Sequence, residues 1–313
     1  VTGTLAASGL ALSDGTSLSL ADGACTAFAP SVEASGLVSV ELDIATDGSA
    51  NDTVALAAGF TGTVRVRLTS LGTGLPFVKP GRFALFTFSG TAPVTTGWTV
   101  DGVPAVFEVT GSTVDLVIGA AGGFAEWINT AGGAWDNAEN WSAAPGANVL
   151  FGTAITAPAV IDTGSGASFG YMAVDSANGY TWSGGTLTVG DAAVARGTHT
   201  AAAALNLPDV SVVNIAPGAA LNVHGAMSGA GALTATGGGS LALTNGPAVA
   251  VPVTLDGATL ATTFSTVFDA PFTAGAAGAV VTSAYGTAVT MTAPVTGPGG
   301  LTKRGSSLLT LAP

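Results

Sequence analysis

Three aspartates within ten residues are the side chains of this sequence best suited to chemistry. Asp43, Asp47 and Asp52 lie in and beside the most polar loop, residues 47–52. Carboxylate oxygens are ligands that Ca²⁺ prefers, and it takes about six to eight of them. The spacing fits no EF-hand loop, and a turn in which short polar side chains bond to nearby backbone explains the same residues. Calcium is therefore a candidate ligand here, and no other cofactor or metal is expected.

Residues for covalent or acid–base catalysis are sparse. His199 is predicted in a loop, and His224 ends a strand that contains Leu221–Val223. Neither histidine is near another metal ligand in the sequence, and the single cysteine, Cys25, is remote from both. The sequence has no phosphate-binding loop and no nucleophile elbow between a strand and a helix. No catalytic residue is predicted, and the chain is expected not to be an enzyme.

The composition restricts the classes of partner. The 313 residues carry a net charge of −12, with 48% hydrophobic and 8% charged residues. Disordered chains have low hydrophobicity and high charge, and nucleic-acid binding needs clustered Lys and Arg, so the sequence fits neither class. No apolar run approaches the roughly 18 residues of a membrane helix, so no membrane-spanning segment is expected.

The elements implied by this composition are short strands joined by glycine turns. Leu10-Ala11-Leu12 and Leu18-Ser19-Leu20 alternate apolar and small polar residues, a pattern typical of half-buried strands. From about residue 149 onward, similar strands recur at a spacing of roughly ten residues. The Ala-rich run 200–205 is expected to be a brief loop.

A degenerate repeat joins these strands into one architecture. Gly229–Asn245 matches Gly297–Pro313 with every pair offset by 68 residues, including Leu233 with Leu301. A fixed offset is typical of stacked repeats, and three coils would hold roughly 23 residues each. The sequence therefore predicts an all-β fold, a parallel β-helix or solenoid.

The predicted domains follow from changes in composition along the chain. Residues 1–118 contain a β-helix end and a thicker closing module with β-hairpins, 119–123 form a Gly-rich boundary, and 124–313 form a Trp-capped β-helix. The cap consists of Trp127, Trp135 and Trp141, which bury aromatic area where no neighbouring coil exists. Stacking against a glycan is the alternative role for these three residues.

Parts of the chain resemble the autotransporter-associated β-strand repeat of bacterial autotransporter passenger domains. The resemblance implies a right-handed parallel β-helix, placed outside the cell or on the bacterial cell surface, with no shared catalytic residues. The segments that carry it are Gly299–Gly305 with Leu309–Leu311, then Trp135–Ser142 with Pro145, Gly146 and Phe151, and finally Asn51–Val54 with Gly62–Val66.

These observations lead to the hypothesis that the chain has a mechanical role. The chain is expected to be a non-enzymatic extracellular building block of a bacterial surface filament, sheath or layer. A repeat that ends in Leu309-Thr310-Leu311 would continue with another Leu-x-Leu strand, and the N-terminal strands supply one. Head-to-tail stacking into a homopolymer would use Val1, Leu5, Leu10, Leu12, Leu301, Leu309 and Leu311.

Three alternatives remain open at this point. The chain could be an excised piece of a longer passenger, which needs no self-association. It could be an adhesin or stalk fragment whose tryptophans bind surface glycans. It could also be a polysaccharide lyase, although residues 192–313 contain only Asp209, Asp256 and Asp269 as acids.

Overall fold

The structure, a computed structural model, describes residues 9–119, 123–244 and 249–312. Strands make up 54% of the described residues, and the one helical segment in these ranges is a 3₁₀ turn, Ala138–Asn140. The chain divides into an N-terminal unit, Val1–Ala121, and a C-terminal unit, Gly122–Pro313. Residues 120–122 of the predicted Gly-rich boundary lie outside the described residues.

The described residues of the N-terminal unit form ten strands in two sheets, and the first eight strands alternate between these sheets. Its strands are β1 Gly9–Leu12, β2 Ser17–Ser19, β3 Ala27–Ala34, β4 Leu37–Ile44, β5 Thr53–Leu56, β6 Thr63–Ser70, β7 Gly81–Phe88, β8 Thr99–Asp101, β9 Ala105–Thr110 and β10 Thr113–Ile118.

These strands form four parallel rungs, each rung being one winding of the chain. β1, β3, β5 and β7 pair in parallel in sheet I, and β2, β4, β6 and β8 do so in sheet II. The hairpin β9–β10 then pairs antiparallel with β7 and closes that edge. The predicted hairpin-containing end module is therefore present.

The C-terminal unit contains the remaining strands. They are β11 Ala125–Glu126, β12 Gly133–Ala134, β13 Asn148–Phe151, β14 Ala159–Asp162, β15 Gly166–Asp175, β16 Tyr180–Ser183, β17 Thr186–Arg196, β18 Thr198–Ala201, β19 Ala204–Asn206, β20 Ser211–Ile215, β21 Ala220–Val223, β22 Met227–Ser228, β23 Leu233–Thr236, β24 Ser240–Leu243, β25 Val253–Asp256, β26 Thr259–Thr262, β27 Thr266–Phe268, β28 Phe272–Ala274, β29 Ala279–Ser283, β30 Ala288–Met291, β31 Val295–Thr296, β32 Leu301–Arg304 and β33 Leu308–Leu311.

The described strands of this unit stack in nine rungs. The order β11-β13-β15-β17-β20-β23-β25-β28-β31 forms one side, which we call sheet III, and β12-β14-β16-β18-β21-β24-β26-β29-β32 forms sheet IV. Sheet V, a third side, contains β27, β30 and β33. Every pairing among these strands is parallel and joins a strand to the corresponding strand of the next winding, so the predicted all-β parallel solenoid is confirmed. The right-handed winding stays a prediction.

Side chains at matching positions of successive rungs form ladders that fill the core. In sheet III, directly registered inward positions are Val149, Met172, Ala192, Val213, Ala235 and Leu255, and all of them are buried. In β16, β23 and β25 the buried residues alternate with partly exposed Thr, Ser or Asp, as a half-buried strand requires, whereas all four residues of β13 are buried.

Two glycines of the repeat are required by the corner between strands. Gly229 and Gly297 have φ of +115° and +119°, a region that favours glycine. A Cβ added to Gly231 or Gly299 would lie closer than 3.0 Å to a backbone oxygen of the neighbouring rung. The repeat therefore encodes one type of tight corner, in which adjacent windings nearly touch.

The 68-residue offset is not three coils, which corrects the sequence-based interpretation. The residues three rungs apart are Leu233 and Val295, through steps of 20, 19 and 23 residues. Leu301 lies in the next sheet and pairs with Ala279. The repeat thus matches one corner of the coil to a different corner, because both corners need the same glycines and the same apolar alternation.

The Ala-rich run 200–205 is not a loop, contrary to expectation. Its residues contribute to strands β18 and β19, with two residues between them. Ala201 lies in register with Trp182 of the preceding rung, so a small side chain offsets the volume of a large one. His199, also expected in a loop, lies in β18 and is fully buried.

Candidate functional site

The last described rung of the C-terminal unit has an incompletely covered core. In sheet V, Phe268, Met291 and Leu311 are in direct register. Their exposed fractions are 1%, 0% and 47%, so an inward ladder position becomes exposed only where no rung follows among the described residues. Leu301 and Leu309 are likewise partly buried and pack against the core from this rung. We call β31, β32 and β33 the tail rung.

A lysine occupies an inward ladder position of the tail rung. In sheet IV, Leu260 and Val281 are fully buried and Lys303 follows them in register. Its Nζ donates to the backbone oxygens of Arg304, at 2.6 Å, and Gly305, at 3.1 Å. In the sequence, Lys303 is part of the segment Gly299–Gly305, and its place two residues after Leu301 already indicates the inward side.

The first described rung of the N-terminal unit is the other edge of the parallel ladders. β1 and β2 each have a partner on one side, β3 and β4. Leu10 and Leu12 of β1 are partly buried, whereas Leu18 of β2 is buried. Val1 and Leu5, also predicted to take part in self-association, lie outside the described residues. We call β1 and β2 the head rung.

Two other ladder ends are closed by dedicated structure. The hairpin β9–β10 covers the β7 edge in the N-terminal unit. In the C-terminal unit, Trp127, Trp135 and Trp141 cover the first rung. The ring centroid of Trp141 lies 5.1 Å from that of Trp127 and 4.9 Å from that of Trp135. The head rung and the tail rung have no comparable cover within the described ranges.

The tryptophan cluster belongs to the core. All three rings are buried, and each packs within 6.1 Å of the Phe151 ring. The indole N–H of Trp141 donates to the backbone oxygen of Trp135 at 2.7 Å. Since no ring presents an open face to solvent, the cluster offers no platform for a stacked sugar, and its geometry fits the end cap.

The three aspartates of the candidate calcium site are committed to other partners. Both oxygens of Asp52 accept backbone N–H groups at 2.6 Å, from Thr26 and from Asp43. Burial raises the pKa of Asp52, whereas hydrogen bonds from Ser49 lower the pKa of the exposed Asp47. No group of three or more His, Cys, Asp or Glu in the described part of the chain converges as metal ligands would.

The remaining candidate groups for chemistry are separate. The ring of His199 stacks on Tyr180 and packs at a tilt against Trp182, and burial lowers its pKa. Burial, followed by the charge of Asp52, raises the pKa of the Cys25 thiol, which makes the thiolate scarcer at neutral pH. His224 directly follows β21 and is partly buried. Neither histidine belongs to a cluster of potential metal ligands among the described residues.

Comparison with known proteins adds no relative. Over the described ranges, no helical segment reaches the length and apolar character of a bilayer-crossing helix. No protein-family model, curated protein or solved structure shows significant similarity to this chain.

Proposed function

We propose that this chain is a non-enzymatic structural protein that assembles head to tail, the tail rung of one copy stacking on the head rung of the next. The observation that carries the proposal is the ladder Phe268–Met291–Leu311, in which the exposed fraction rises from 1% and 0% to 47%. A further rung would bury Leu311 as completely as its two predecessors.

Backbone geometry supports the same contact. An edge strand presents unpaired N–H and C=O groups and is a template for another strand. Among the described strands, β31, β32 and β33 lie at the edges of three sheets, and β1 and β2 lie at the edges of two. An added rung could therefore form parallel ladder hydrogen bonds on several sides at once, as β-strand addition does in other proteins.

The size of one rung suits a specific interface. Between β23 and β31, successive rungs of the C-terminal unit are 19 to 23 residues long. A stable protein–protein interface typically uses about 20 to 30 residues from each partner. Because the head and tail surfaces differ, the contact is heterologous and does not close on itself, so repetition yields a filament.

The setting of this filament is also part of the proposal. The resemblance of Gly299–Gly305 and Trp135–Ser142 to autotransporter-associated repeats supports a place outside the cell, in a bacterial surface filament, sheath or layer. The low charge and the Thr- and Ser-bearing outer sides of the sheets fit an exposed scaffold. In this role the buried tryptophans stabilise one end of the C-terminal unit and bind no glycan.

Electron microscopy and sedimentation velocity test the proposal directly. The purified chain is expected to form linear fibres whose length increases with protein concentration. Leu311→Glu places a charge at the proposed contact and is expected to leave monomers, whereas Val210→Glu, at a residue 63% exposed and away from both rungs, leaves the fibres. A wild-type chain that stays monomeric at high concentration contradicts the proposal.

A further inference from the structure

The cations of the C-terminal unit are concentrated in its tail rung. This unit contains three basic residues, Arg196, Lys303 and Arg304. Arg196 is paired with Asp175 at 2.7 Å. Lys303 and Arg304 form no ion pair with any described residue, and Arg304 is exposed. In a chain with a net charge of −12, the tail rung is therefore a local positive site.

The head rung has the opposite charge. Asp14 lies in the turn between β1 and β2, and Asp22 follows β2; both are exposed. Within the described part of the chain, their carboxylates accept hydrogen bonds only from backbone N–H groups, Asp14 from Leu37 at 2.8 Å and Asp22 from Ala24 at 3.1 Å. No Lys or Arg precedes Arg65 in the sequence, so no nearby cation in the first rungs neutralises these aspartates.

We infer that this charge asymmetry selects the partner and the orientation of self-association: a basic tail rung, through Lys303 and Arg304, recognises the acidic head rung of a second copy, through Asp14 and Asp22. This inference rests on the proposed head-to-tail stacking, and the charges account for the specificity of that contact. Two tail rungs repel each other, as do two head rungs, and complementary patches accelerate the correct encounter.

The inward position of Lys303 adds a penalty for the wrong partner. Its ladder predecessors, Leu260 and Val281, are fully buried, so a stacked rung would remove the ammonium group from water. Burying a charge without a partner is costly, and inward-pointing charges are a known protection of sheet edges against indiscriminate pairing. An acidic rung compensates this cost and an uncharged edge strand does not.

Two charge-reversed chains test the inference by complementation. The tail variant carries Lys303→Glu and Arg304→Glu; the head variant carries Asp14→Asn and Asp22→Lys, where Asn keeps an acceptor for Leu37. Each variant alone presents like charges at the contact and is expected to assemble at least about tenfold more slowly than wild type in light scattering. An equimolar mixture restores complementary pairs and is expected to assemble into fibres.

Controls separate this inference from the proposed function. Asp209→Lys, at an exposed turn outside both rungs, changes the charge as Asp22→Lys does and should leave assembly unchanged. Circular dichroism and thermal melting confirm that each variant is folded. If wild type does not assemble, the proposed function fails. If wild type assembles and the variants alone assemble equally fast, or their mixture fails to recover, the stacking stands and the charge inference is overturned.

Discussion

Nδ1 of His199 accepts a hydrogen bond from the backbone N–H of Tyr180 at 3.1 Å. The other ring nitrogen, Nε2, lies 2.9 Å from the backbone oxygen of Arg196 and donates to it. With one nitrogen accepting and the other donating, the imidazole is held in its neutral form, which agrees with the pKa that burial lowers. A proton on Nδ1 would face an N–H donor and break this contact.

The free energy of unfolding should therefore fall as pH drops below about 6.5, the ordinary histidine value. Below that pH the unfolded chain binds a proton that the folded chain excludes, so stability decreases by up to about 1.4 kcal/mol per pH unit until the folded-state pKa is reached. Urea unfolding at a series of pH values measures this pH dependence.

Two variants serve as controls. His199→Leu, which copies its ladder neighbour Leu221, should lose the decrease in stability at low pH, and His224→Gln should retain it. If the free energy of unfolding changes equally with pH in both variants and the wild type, the assignment to His199 is wrong.

The tight corner predicts a large effect of one methyl group. A Cβ at position 231 would collide with the backbone oxygen and carbonyl carbon of Asp209 in the neighbouring rung. Because backbone cannot yield as a flexible side chain does, Gly231→Ala should cost about 3 kcal/mol or more. Gly146→Ala is the matched control, since an added Cβ there meets nothing within 4 Å. Comparable melting temperatures for both variants would rule out the close contact.

A cavity of about 30 Å³ lies inside the C-terminal unit, with an entirely apolar lining that includes Trp182, Ala201 and Leu221. Ala201→Val adds two methyl groups to this space and should stabilise the unit by about 0.5–1 kcal/mol. Ala193 is fully buried but does not line the cavity, so Ala193→Val should overpack and cost about 1–3 kcal/mol. Chemical denaturation distinguishes the two signs, and destabilisation by both substitutions would contradict the cavity.

Calcium should not change the melting temperature of the chain. The Asp52 carboxylate already accepts N–H groups from Thr26 and Asp43, and a ligand stabilises only the state that binds it. Differential scanning calorimetry with millimolar calcium and with a chelator is the measurement. Asp52→Ala should instead destabilise by about 1–3 kcal/mol, because it leaves buried donors unpaired. A calcium-dependent increase that Asp52→Ala removes would restore the metal site.

Alternation and turn residues were sufficient to predict the fold class. The Leu-x-Leu segments form strands, and glycines with positive φ lie between them, as expected from sequence. The assignment of the 68-residue offset to whole coils failed for a physical reason: Gly229 and Gly297 fulfil the same steric demand at different corners, and a pattern of local demands does not show which side of the coil it occupies.

The positions of individual side chains depended on contacts between distant residues. His199 looked like a loop residue beside an alanine run, yet Trp182 of the adjacent rung makes small residues suitable for a strand there. Lys303 lies two residues after Leu301 and therefore on the same face of the strand, so its inward direction could be predicted, whereas its pairing with Val281 of the neighbouring rung could not. The clustering of Trp127, Trp135 and Trp141 was visible in the sequence, while their burial depended on Phe151 beneath them.

The stacking of rungs in the C-terminal unit also determines how that unit comes apart. Because each winding contacts its immediate neighbours, the free energy of unfolding is approximately a sum of contributions from single windings and from the interfaces between adjacent windings. The windings next to Trp127 and Trp141 share large interlocked rings, whereas β33 has one neighbour strand, β30, and a half-exposed Leu311. Heat or mechanical tension should therefore fray an isolated molecule from the β33 end and unzip it one winding at a time, so that the aromatic end melts last.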